Sequence, residues 1–121
     1  MTTAVERFER VTSIQKINGK RKRMILSGYI PAQVDPYTAF ADKAFIDLRV
    51  QLSKAEEKLN MNEVTKLYTE FSDIIRVPDG RTEMLCSTID GVKYMAVYCH
   101  CCSIEAGKRL YESLKEKYFT K

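Results

Sequence analysis

The residues best suited to chemistry lie together in the last third of this 121-residue chain. All four cysteines and the single histidine are found at Cys86 and in the run Cys99-His100-Cys101-Cys102. Thiolate and imidazole groups are the ligands that zinc prefers. Neighbouring side chains of an extended strand point to opposite faces, so at most two residues of the run could share an ion. Cys86 lies several residues away along the sheet, so we expect neither a closed metal site nor a bound cofactor.

The dipeptide His100-Cys101 also suggests a nucleophilic thiol, because it ends a predicted strand just before a helix, whose first N–H groups attract anions. His-Cys followed by a phosphate-cradling loop resembles the signature of the cysteine-dependent phosphatases. That signature requires an arginine after five intervening residues, and Gly107 occupies the position here. The Gly-rich loop is missing as well, so we reject a phosphatase. Without a carboxylate pair or a Ser/His/Asp set, the sequence predicts a protein that is not an enzyme.

The start of the last helix could still hold an anionic ligand without any reaction. The residues that favour such a site are His100, Ser103, Lys108 and Arg109.

Positive charge is concentrated at the tip of a predicted β-hairpin. Asn18-Gly19 joins two β-favouring runs within residues 5–30, and this dipeptide is a strong signal for a type I′ turn. The sequence has no carboxylate between Arg10 and Asp35. The basic residues around the turn are Lys16, Lys20, Arg21, Lys22 and Arg23.

Three roles stay open for this basic tip. A ribbon rich in arginine and lysine can bind the backbone of a nucleic acid, since each neutralised phosphate releases counterions. It can also bind another acidic partner, such as an acidic protein. The third role is solvated charge that resists aggregation. The net charge of +4 permits an anionic partner and does not require one.

A long helix is predicted after Asp35-Pro36, where Asp can cap the first N–H groups and Pro suits the first helical position. Its apolar residues repeat at alternating spacings of four and three. They are Ala41, Phe45, Leu48, Leu52, Ala55 and Leu59. Ile46 and Val50 fall off this stripe, so the outer side of the Phe40–Leu59 helix is a candidate interface with another helix or with a partner chain.

A second hairpin is predicted around Asp90-Gly91, with Cys86 opposite Met95. The Cys86 face is the more apolar one, so we expect it to pack on the helices and to bury Cys86. The other face carries Tyr94 and Tyr98. These rings could stack on bases, contribute to a protein interface, or simply cover part of the sheet.

Two further helices complete the expected order ββααββα. One follows the Asn60/Glu63 capping pattern and stops before Pro78, and the other runs from Ser103 to about Tyr118. We expect Gly107 to let the last helix approach the sheet closely. The prediction is one α+β domain over residues 1–121, with a four-stranded antiparallel sheet and three helices packed mainly on one face.

Composition supports a small intracellular binding protein. No apolar run is long enough to span a membrane, and the charged N-terminal stretch is unlike a signal peptide. Cysteines without a secretory signal favour the reducing cytoplasm, and the Lys20–Arg23 patch also permits the nucleus. The first hypothesis is nucleic-acid binding through the basic tip. The second is a protein-interaction module, either a homo-oligomeric subunit or an inhibitor, and the third is an anion-binding domain.

Overall fold

Five antiparallel strands form one sheet in the computed structural model, which describes residues 4–17, 20–31, 43–54, 61–74 and 80–119. The elements in chain order are β1 (Ala4–Ile17), β2 (Lys20–Pro31), β3 (Ala44–Lys54), α1 (Met61–Ile74), β4 (Gly80–Ile89), β5 (Val92–Cys101) and α2 (Ile104–Phe119). The strand order across the sheet is β1-β2-β3-β5-β4. Neither helix of the described ranges is long and apolar enough to cross a membrane.

The predicted four-stranded sheet with three helices is wrong, because residues 44–54 form the central strand of the sheet and not a helix. β3 pairs with β2 on one side and with β5 on the other. Its alternate residues are all buried, and they are Ala44, Ile46, Leu48, Val50 and Leu52. A period of two is what a strand needs to bury one face, and it outweighs the helical spacing of the same stretch. The two ends of the predicted helix, residues 36–42 and 55–59, lie outside the described residues.

Both predicted hairpins are confirmed, together with their registers. Val11 lies opposite Leu26 in the first hairpin, and Cys86 lies opposite Met95 in the second. In the second turn, Asp90 has a φ of 50° and Gly91 a φ of 78°, as a type I′ turn requires. The Asn18-Gly19 turn lies outside the described residues. The predicted second and third helices are also confirmed, as α1 and α2.

The hydrophobic core lies between one face of the sheet and the two helices. Leu67 and Phe71 of α1 join the core residues of α2 and of the strands. The ring of Phe71 lies 5.8 Å from that of Tyr118, and Phe8 of β1 stacks on Tyr111 at 4.7 Å. Both helices therefore cover the same face of the sheet.

Cys86 is exposed, which corrects the expectation that it is a core residue. The register does place it on the same face as the buried Met95. However, β4 is an edge strand, and α2 lies over β1, β2, β3 and β5. The side chain of Cys86 therefore stands at the rim of the core.

Gly107 brings α2 into close contact with β3. A Cβ atom at this position would overlap the Cβ of Ala44, which is itself fully buried in the sheet. The helix is held at its start by Ser103, whose Oγ accepts a hydrogen bond of 3.3 Å from the N–H of Ala106. The absence of a side chain at Gly107 therefore sets the distance between the helix and the sheet.

We expect Gly107→Ala to destabilise the protein. In a solvent-exposed helix the same change stabilises by roughly 1 kcal/mol. Here the new methyl group overlaps Ala44, so we expect the free energy of unfolding to fall by about 1–3 kcal/mol, as measured by denaturant unfolding. Ser113→Ala, at an exposed position of α2, is the control and should be neutral or slightly stabilising. A Gly107→Ala protein as stable as the wild type would contradict the close approach.

Candidate functional site

The face of the sheet opposite α1 and α2, which we call the outer face, carries the candidate site. On β3, Phe45, Asp47 and Arg49 alternate with the buried core residues, so their side chains lie on the outer face. In the described part of the chain, both helices pack on the other side. The chemistry of the outer face therefore depends on which side chains the strand register places next to one another.

The register aligns three rings in one row across the sheet, with an arginine at each end. Arg7, Tyr29, Phe45, His100 and Arg81 lie opposite one another on successive strands β1, β2, β3, β5 and β4. We call these five residues the aromatic row. The ring centroids of Tyr29 and Phe45 are 5.3 Å apart, and His100 meets Phe45 edge-on at 5.1 Å. The row is a line of partly exposed rings between two arginines, in which the ring planes of Phe45 and His100 are nearly perpendicular.

A second row of polar side chains runs beside the aromatic row. Ser27, Asp47, Tyr98 and Glu83 lie opposite one another on β2, β3, β5 and β4. Tyr98 also contacts the aromatic row, since its ring lies 5.5 Å from that of Phe45. Glu83 Oε2 lies 3.2 Å from Nε2 of His100, which links the two rows. The outer face thus places hydrogen-bonding groups along the edge of the rings.

A cleft of about 330 Å³ opens between β1, β2 and β3 at the Arg7 end of the two rows. Its polar and aromatic lining includes Arg7, Arg10, Tyr29, Phe45, Asp47 and Arg49. The register of β1 shifts between Phe8 and Val11, as at a β-bulge, and bulges commonly re-aim side chains next to sites. This irregularity includes Arg10. Three guanidinium groups and one carboxylate make the cleft suited to an anionic ligand that also has hydrogen-bond donors.

Asp47 is the unusual group of the cleft, because it is only 7% exposed. Its Oδ2 accepts a hydrogen bond of 3.0 Å from Nε of Arg49, whereas the buried Oδ1 has no hydrogen-bond partner. Burial raises the pKa of the Asp47 carboxyl, and the charges of Arg49 and Arg10 oppose that rise. A buried acceptor without a donor costs about 1–3 kcal/mol. Asp47 is therefore an acceptor that a bound ligand could satisfy.

The basic residues of the tip lie on two different faces of the sheet. Lys16, Arg21 and Arg23 are exposed, and the alternation along β1 and β2 places them on the outer face. Lys22 is buried, and its Nζ donates a hydrogen bond of 2.8 Å to the carbonyl oxygen of Leu52. Lys22 is thus a structural residue on the helix-covered side. The side chain of Lys20 lies outside the part of the chain that the structure describes.

The four residues suggested for the start of the last helix do not converge. His100 lies on the outer face beside Glu83, while Ser103 caps α2, which packs on the other face. Nζ of Lys108 lies 3.8 Å from a carboxylate oxygen of Glu6, and Arg109 is exposed. The structure therefore places these four residues on different faces and does not bring them together.

The residues suggested for a protein interface are mostly internal. Ile46 and Val50 are fully buried in the core, because they belong to a central strand and not to the surface of a helix. Tyr94 is also buried, although it lies on the expected face. Tyr98 is half-buried against Phe45 and is the one member of this set that adds to the outer-face platform.

Two of the three cysteines at the strand end are buried, and Cys102 is exposed. Cys99 and Cys101 are fully buried, and burial is the main cause that raises the pKa of the Cys99 thiol to about 12. The described residues hold no group of three or more His, Cys, Asp or Glu side chains that could bind a metal ion. The neutral thiol of Cys99 therefore packs as a small apolar group.

Sequence reasoning missed Tyr29, Phe45, Asp47 and Arg49 as site residues. Three of them lie on β3, where the sequence predicts a helix. The signal that could have found them is the alternation of apolar residues from Ala44 to Leu52, which sends the intervening side chains to the opposite face.

Comparison of the chain with protein-family models, with curated proteins and with solved structures gives no match. The function must therefore be argued from the geometry of the outer face.

We expect the basic residues of the tip to differ in their effect on stability. Lys22→Ala removes a buried hydrogen bond to the Leu52 carbonyl, so the free energy of unfolding should fall by about 1–3 kcal/mol. Arg21→Ala and Arg23→Ala are matched controls at exposed positions and should change it by less than about 0.5 kcal/mol. Denaturant unfolding of the three variants gives the comparison. Equal effects at Lys22 and Arg21 would contradict the buried role of Lys22.

We expect Asp47→Asn to stabilise the protein in a pH-dependent way. The pKa of Asp47 is raised in the folded state above its ordinary value of 3.8, so ionisation of this carboxyl costs stability as the pH rises through its folded pKa. The variant should unfold at a higher temperature than the wild type at pH 7, and the difference should shrink toward pH 3.8. Glu112→Gln, at an exposed carboxylate of α2, should show no comparable gain. A lower melting temperature of Asp47→Asn at pH 7 would refute the expectation.

Proposed function

We propose that this protein binds single-stranded nucleic acid on the outer face of its sheet. The observation that carries the proposal is the aromatic row, in which the rings of Tyr29, Phe45 and His100 lie side by side between Arg7 and Arg81. No described helix covers these three rings and each is partly exposed, so a flat ligand can contact them.

Stacking on such a platform suits unpaired bases. Proteins that bind single strands combine aromatic side chains, on which successive bases stack, with a positively charged path for the backbone. The ring centroids of Tyr29 and Phe45 lie 5.3 Å apart on adjacent strands and their planes are inclined by 32°, so these two rings can each contact a base of one strand. The arginines at the two ends can neutralise phosphates. A paired duplex hides the faces of its bases, so the row favours a single strand.

The exposed part of the basic tip extends this surface. Lys16, Arg21 and Arg23 lie on the same face as the aromatic row, further along β1 and β2 toward the turn. In this arrangement the tip contacts the phosphate backbone, while the aromatic row contacts bases. The proposed binding surface thus runs from the middle of the sheet to the exposed part of the tip.

A protein partner is the second candidate function. Two apolar side chains on the outer face, Ile14 and Leu85, are 56% and 54% exposed. They lie on the opposite edge strands β1 and β4, so they do not form one contiguous apolar patch of the kind that protein interfaces use.

For either function the free thiols favour a reducing compartment, and we propose the cytoplasm.

We expect wild-type protein to bind a labelled single-stranded oligonucleotide of about 12 nucleotides in a fluorescence-anisotropy titration. Tyr29→Ala should weaken binding roughly 5- to 150-fold, because the loss of one stacked base costs about 1–3 kcal/mol. Tyr68→Ala is the matched control, since Tyr68 is a 55% exposed tyrosine of α1 on the other side of the sheet. Its affinity should equal that of the wild type.

The same titration at several salt concentrations tests the phosphate contacts. Arg7→Gln should reduce the slope of log affinity against log salt by about 0.7, whereas Arg109→Gln on α2 should leave it unchanged. Equal effects of the Tyr29 and Tyr68 variants would exclude the aromatic row. A loss of binding in Arg21→Ala/Arg23→Ala without any effect of Tyr29→Ala would leave only the tip as the binding site.

A further inference from the structure

We infer that the cleft beside the aromatic row is a base-selective subsite, in which Asp47 accepts a hydrogen bond from the exocyclic amine of a base and so prefers cytosine to thymine or uracil. The inference rests on the proposed function and deepens it.

The position of Asp47 relative to the rings supports an edge contact. Asp47 follows Phe45 by two residues on β3, so the two side chains lie on the same face about 7 Å apart along the strand. A base stacked on Phe45 or Tyr29 would therefore present its edge to the carboxylate. Ser27, which lines the same cleft, lies directly opposite Asp47 on β2. The polar row thus meets the hydrogen-bonding edge of a base and leaves its face to the rings.

The hydrogen bonds still open to the Asp47 carboxylate decide which base edge fits the cleft. Asp47 lines the cleft, its Oδ2 accepts a hydrogen bond from Arg49, and its buried Oδ1 lacks a donor. An ionised carboxylate only accepts hydrogen bonds. Cytosine offers an amine at its N4 position, where thymine and uracil carry a carbonyl oxygen. An amine satisfies Oδ1, whereas a carbonyl oxygen would place two acceptors against each other.

The size and charge of the cleft suit one nucleotide. A volume of about 330 Å³ is near the lower end of the range of ligand pockets. Arg7 and Arg10 line the same cleft and can hold the phosphate of the nucleotide whose base reaches Asp47. The cleft therefore combines the three parts that such recognition needs, namely a ring to stack on, cations for the phosphate and an acceptor for the base edge.

The test compares three oligonucleotides of equal length on the wild-type protein: oligo-dC, oligo-dT, and an oligo-dC in which every base is N4,N4-dimethylcytosine. The methyl groups remove both amine donors from the base. We expect oligo-dC to bind at least about fivefold more tightly than either of the others, in line with the discrimination given by one good base contact. This arm needs no variant, so it does not depend on the folding of a mutant.

Asp47→Asn provides the second arm. Its amide can donate as well as accept, so the preference for oligo-dC over oligo-dT should fall to less than about twofold, with far-UV circular dichroism confirming the fold. Glu112→Gln is the matched control, because Glu112 is an exposed carboxylate of α2, on the other side of the sheet from the cleft. The Glu112 variant should keep the preference.

The failures of the two proposals are distinguishable. Equal, salt-sensitive binding of oligo-dC and oligo-dT that still requires Tyr29 would overturn the base selectivity and leave the proposed function standing. Unchanged binding of the dimethylated oligonucleotide would overturn the selectivity as well, as would a preference that survives in a folded Asp47→Asn protein. No binding of any of the three oligonucleotides would overturn both proposals.

Discussion

The burial of alternate residues of β3 is the constraint on which the rest of the structure depends. This strand is hydrogen-bonded on both sides, so its backbone groups are satisfied within the sheet. Ile46, Leu48 and Val50 supply the middle of the core, and the same alternation sends Phe45 and Asp47 to the outer face. The core and the candidate site are therefore two faces of one strand, and a one-residue slip in its register would exchange them.

Local signals predicted both hairpins and the last two helices, and they missed the central strand because its alternation overlaps a helical spacing. The two hairpins follow from turn dipeptides and from pairs equidistant from them, so both registers could be predicted. Leu48 and Leu52 fit a helical stripe and a strand alternation equally well. What decides between the two is pairing with β2 and β5, which lie elsewhere in the chain. β3 carries Phe45 and Asp47. Because a helix was predicted in place of this strand, the candidate site could not be predicted either.

Two buried charged residues of the sheet, Lys22 and Asp47, differ in how well their polar atoms are hydrogen-bonded. Nζ of Lys22 is matched by the carbonyl oxygen of Leu52, so this charge holds the end of the sheet together. Asp47 is matched on one oxygen alone, and burial raises its pKa against the opposing charge of Arg49. A residue of a cleft lining that lowers the stability of the folded state is typical of binding sites, because groups that contact a ligand are often unfavourable for folding.

The contacts between the first strand and the last helix have a consequence for how the protein is made. The carbonyl oxygen of Tyr118 accepts hydrogen bonds from Ser13 and Gln15, and the hydroxyl of Tyr111 donates to the carbonyl of Glu9. These bonds span 102 to 105 residues of sequence. During synthesis β1 emerges early but obtains these partners only when α2 has left the ribosome. Until α2 has been synthesised, β1 therefore lacks the partners that join it to the helix layer, and contacts of such wide sequence separation slow folding.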